Sequence, residues 1–91
     1  MRIERMENGY KITDLYFAAS ILCEPGMELQ SIEQTGEVDM RGRKRVFFVV
    51  AGSPDRIKAV IDAFFNAKYK IDAQLFKSKL QGLKSRLHGD F

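Results

Sequence analysis

Six consecutive apolar residues, Val46 to Ala51, constrain this chain more than any other feature. Valine and phenylalanine favour an extended strand. A strand sends successive side chains to opposite faces, so a run that is apolar at every position needs cover on both. A chain of 91 residues has room for one domain and must find that cover among few elements. At this size it buries roughly 60–65% of the surface its unfolded form exposes.

The segment before the run reads as its hairpin partner. Met27 and Leu29 share one strand face while Ile32 falls on the other, so the period of two is imperfect. Asp39 to Gly42 is the best turn candidate, and Gly36 competes for it.

Three helices are predicted around this hairpin. The first spans residues 13–24, with Thr13 as N-cap and Asp14 at the positive helix end. Leu15, Ala18, Ala19 and Leu22 form its apolar face, and Pro25-Gly26 stops it. Ser53-Pro54-Asp55 opens the second, with Ile57, Val60, Ile61 and Phe64 on one face and an end near Lys68. Asp72 caps the third, whose seam is Phe76, Leu80, Leu83 and Leu87. Gly82 interrupts that helix at a cost of about 1 kcal/mol against alanine. Residues 1–9 read as a flexible N-terminus ahead of one α+β domain over 10–91. The rival reading pairs them with Tyr10–Ile12 through an Asn8-Gly9 turn. The expected order is helix–strand–strand–helix–helix, with the helices packed on a short antiparallel sheet.

Few chemistries survive inspection. One cysteine, Cys23, and one histidine, His88, cannot build a His/Cys zinc site within a single chain. A lone cysteine excludes an internal disulfide framework and fits a reducing cytoplasm. No apolar run reaches the roughly 18 residues of a membrane span, and no secretory h-region opens the sequence. Nucleophile–base motifs and phosphate-binding glycine loops are absent, so the reading is a non-enzymatic protein with no cofactor and no small-molecule substrate. Cys23 reads as a small buried hydrophobe, because no basic residue beside it in sequence lowers its pKa. His88 reads as a helix-terminal cation.

Charge is the remaining signal. Residues 1–40 carry three Lys/Arg against eight Asp/Glu, a net of −5, and residues 41–91 carry twelve against four, a net of +8. Either the halves neutralise each other in the fold, or the second half meets an anionic partner. Arg41, Arg43, Lys44 and Arg45 cluster at the expected hairpin tip, where they can contact phosphates or keep the hairpin edge soluble. On the third helix Lys77 and Lys84 flank one side of the seam, and Lys79 and Arg86 the other. These eight residues are the candidate DNA- or RNA-binding set. The alternative is a protein–protein interaction module, homodimeric through the hairpin edge or the leucine seam. The seam is too narrow, and without tryptophan, to favour a membrane surface.

Short motifs carry a resemblance. Tyr10-Lys-Ile-Thr-Asp-Leu-Tyr-Phe-Ala-Ala followed by Gly26, then Arg45-Val-Phe-Phe, then Asp72-Ala-Gln-Leu-Phe with Leu83-Lys84-Ser85, resemble a small bacterial and phage domain family of unknown function. The resemblance covers residues 10–88. It implies a helix-first α+β domain in a prokaryotic or phage setting, and it carries no catalytic residues. The Arg41–Arg45 run is not attributable to that family's pattern.

Overall fold

The apolar run lies in an inner strand of a four-stranded antiparallel sheet. The computed structural model describes residues 2–38, 40–42, 44–66 and 70–90, with Lys44 and Asp90 described by their backbone alone. Its elements are β1 (Ile3–Met6), β2 (Gly9–Ile12), α1 (Leu15–Leu22), β3 (Glu28–Val38), β4 (Lys44–Ala51), α2 (Pro54–Phe65) and α3 (Ala73–Asp90). Strand order across the sheet is β1-β2-β4-β3.

The α+β class agrees with the sequence reading, but the order does not, because two strands precede the first helix. The rival hairpin is the arrangement present. Its two-residue loop is Glu7-Asn8, since Met6 pairs with Gly9. Gly9 instead lies in β2, where a Cβ would collide with the Val50 carbonyl oxygen. Thr13 does not cap α1. It ties down the N-terminus, accepting from the Arg2 backbone N–H at 2.8 Å through Oγ1 and donating its own N–H to the Arg2 carbonyl at 3.1 Å. Asp14 is the cap, its Oδ1 accepting from Phe17 N–H at 2.8 Å.

Register explains the imperfect period of β3. Leu29 opposes Val50 and Ser31 opposes Val49, so Gln30 is an extra residue. This bulge returns Ile32 to the core side, opposite Phe48. Gly36 is a second irregularity inside β3, at φ +82°, rather than the turn. The turn occupies residues 40–42, with Gly42 at φ +77°, and Asp39 lies outside the described residues.

The two faces of β4 are covered differently. Val46, Phe48 and Val50 join the core with Tyr10, Ile12 and the buried apolar side chains of all three helices. Phe47 and Val49, 8% and 3% exposed, lie on the other face. There the Arg2 guanidinium sits 5.2 Å and the Lys11 ammonium 5.9 Å from the Phe47 ring centroid, while Lys11 pairs with Glu33 at 2.9 Å. Long charged side chains thus supply with their stems the cover that a helix gives elsewhere.

The helix seams point inward. In α1, Phe17 to Leu22 are all buried, a helix enclosed on most of its circumference. α2 buries Ile57 and Val60 but leaves Phe64 and Phe65 largely exposed, and it ends at Phe65. The expected end near Lys68 falls outside the described residues. α3 is capped by Asp72, which accepts from Leu75 N–H at 2.9 Å. It buries Leu83 to 2% exposure, with Phe76, Leu80 and Leu87 packed against the core.

Candidate functional site

Of the hairpin candidates, Arg45 is separated from α3 by the sheet. Arg41 is exposed in the hairpin turn, Arg43 lies outside the described residues, and Lys44 opens β4. Arg45 is exposed, and strand alternation puts it on the Phe47 and Val49 face. Its carbonyl accepts from Thr35 Oγ1 at 3.2 Å. α3 packs on the opposite, core side through Leu83. Arg45 and the basic residues of α3 therefore do not share one surface.

Nor do the helix candidates form a single patch. Lys84 extends toward α1, its ammonium 5.9 Å from the exposed Tyr16 ring. Lys77 is exposed on the helix surface. Lys79 and Arg86 come together with Gly82 and Leu83 along one wall of a groove of about 450 Å³. Spacings of three, four and seven residues align these four positions on one helical face. Leu22, Met27 and Leu29 supply the apolar remainder, and Ser78 and Glu28 also line the groove. The groove thus has apolar surface between two cations.

Arg2–Glu4 at 3.6 Å, Arg2–Glu37 at 3.5 Å and Lys11–Glu33 join residues of the acidic half to one another. Arg56–Glu24 at 3.0 Å crosses between halves. In solvent each such pair contributes about 0–1 kcal/mol, so these pairs arrange charge more than they hold the fold together.

Sequence spacing did not foresee that Lys79 approaches Cys23. Burial nevertheless pushes the Cys23 thiol above its ordinary range, the Lys79 ammonium opposes this less strongly, and Asp72 adds to the rise. The thiol donates to the Ala19 carbonyl at 3.3 Å, so it stays protonated near neutral pH and is a poor nucleophile. Among the described residues no group of three or more His, Cys, Asp or Glu is placed to hold a metal, and no helix is long and apolar enough to cross a membrane.

The groove's apolar residues were missed because each reads, in sequence, as ordinary core. Gly82 was the available signal. A Cβ at Gly82 would meet no heavy atom within 4 Å. The fold leaves space there and makes no use of it. A second hollow, of about 330 Å³, lies among Tyr16, Phe17, Phe64 and Phe76. In it Phe17 and Phe64 pack edge to face with centroids 4.6 Å apart.

No protein-family model, no curated protein and no solved structure matches this chain.

Proposed function

We propose that this chain is a protein-interaction module whose binding surface is the groove between α3 and the start of β3. One observation carries the reading: a groove of about 450 Å³ combines an apolar lining with Lys79 and Arg86 around a mid-helix glycine. That size and mixture suit recognition, in which apolar surface gives affinity and a few polar groups fix orientation. Of the two surfaces offered for self-association, the leucine seam packs on its own core, while β3 remains outermost in the sheet. Its glutamates and its bulges discourage edge-to-edge pairing, so a hetero-partner is the better reading.

The test is selection of a random dodecapeptide display library on the full chain, followed by rescreening on Gly82→Leu, whose side chain adds bulk to the groove wall. Clones that bind the parent and lose the variant support the reading. A library that yields none dependent on Gly82 overturns it.

A second reading keeps the hairpin tip as a phosphate contact for DNA or RNA. It is favoured by β3 and β4 continuing past the last β2 pair, Ile12 with Phe48, to pair Val38 with Lys44. In sequence, Arg41, Arg43, Lys44 and Arg45 follow one another at the turn end of this pair. Neutralising about four duplex phosphates gives a log–log salt slope of roughly −3.6. Fluorescence anisotropy on labelled DNA and RNA at two salt concentrations checks it, and absence of binding at low salt removes it.

A further inference from the structure

Resting on the interaction reading just given, we infer that the groove takes an extended acidic peptide segment of the pattern acid–x–apolar–x–acid, lying along α3. Three features of the groove set that pattern. Lys79 and Arg86 line the same wall seven residues apart, about 10 Å along the helix axis. In an extended chain, side chains four residues apart share a face and stand about 13 Å apart. The long stems of lysine and arginine span the difference of about 3 Å. Two carboxylates at that spacing meet both cations, and the side chain midway between them falls opposite Gly82 and Leu83.

Gly82 is the second feature. It does not take a positive φ, and a Cβ there would meet nothing, so neither backbone geometry nor internal packing asks for glycine. Without a side chain this point of the helix admits a ligand backbone to close range. The apolar residue of the segment then reaches Leu22, Met27 and Leu29. Glu28, which lines the groove from β3, is the third feature, since it repels carboxylates from the strand side and directs them to the helix.

A second copy of this chain does not fit. Its acids four residues apart are Glu24 with Glu28, where Gly26 lies midway, and Glu33 with Glu37, where Thr35 does. Neither pair offers an apolar centre. An anionic partner also matches the +8 balance of the second half.

The experiment titrates the ¹⁵N-labelled full chain with an acetylated, amidated heptapeptide, Gly-Glu-Ser-Leu-Ser-Glu-Gly, and with a twin in which lysine replaces both glutamates. The expected result is amide shifts confined to residues 22, 27–29 and 78–87 with the acidic peptide and none with its twin. Lys79→Glu should weaken acidic-peptide binding at least tenfold and admit the lysine twin. Shifts elsewhere, or affinity indifferent to Lys79→Glu, overturn the inference. So does a single-stranded oligonucleotide that displaces the peptide from the same amides more tightly than the peptide binds. If library clones depend on Gly82 but show another pattern, this inference falls and the interaction reading stands. If no clone depends on Gly82, both fall.

Discussion

Two glycines in this chain have opposite relations to the fold. Gly9 is required where it stands, because a Cβ would strike the Val50 carbonyl of the neighbouring strand. Gly9→Ala must part β2 from β4, and we expect a loss of about 1–3 kcal/mol in urea unfolding, the usual cost of overpacking. Gly82 stands in open space, and Gly82→Ala should raise stability by about 1 kcal/mol through helix propensity alone. The Cys23 thiol makes a third prediction at this scale. Its pKa is raised in the folded state, chiefly by burial, so the native protein holds this proton more tightly than the unfolded chain does. Its contribution is fully present below the unfolded value and is lost as pH rises through the ordinary thiol range, about 8.5, and beyond. The stability difference between the parent and Cys23→Ala should therefore shift against the parent between pH 8 and 10, as measured by urea unfolding at each pH.

At the level of elements, the helices were legible and the first strand was not. Helix faces announce themselves, as in Phe76, Leu80, Leu83 and Leu87, which pack on the core as their spacing implies. β1 reads Ile-Glu-Arg-Met, and a short charged edge strand carries little hydrophobic alternation. Its place is set by pairing with β2 and by the Thr13 bonds to Arg2, none of which a local pattern reveals. The Gln30 bulge had the same effect on β3, where one extra residue made a sound strand look irregular. The groove was illegible for a related reason: Leu22, Met27 and Leu29 meet α3 only after the chain has folded. Amide hydrogen exchange checks this architecture. Amides of β4 from Phe48 to Ala51, flanked by a strand on each side, should exchange slowest in the sheet, and those of β1 fastest.

Across the whole molecule, the sheet divides the surface into two regions of different character. One face is closed by Arg2, Lys11 and Glu33 over Phe47 and is nearly self-neutralised. The other carries the helices, with Lys79 and Arg86 beside the groove. Charge asymmetry along the sequence thus becomes an asymmetry in space, with Arg45 and the basic residues of α3 on different sides of the sheet. The most direct test of the groove as the binding surface is to measure unfolding and acidic-peptide binding on one preparation of Gly82→Leu. We predict a midpoint of denaturation at or above that of the parent together with loss of peptide binding. A variant that still binds the peptide at parental affinity would contradict it.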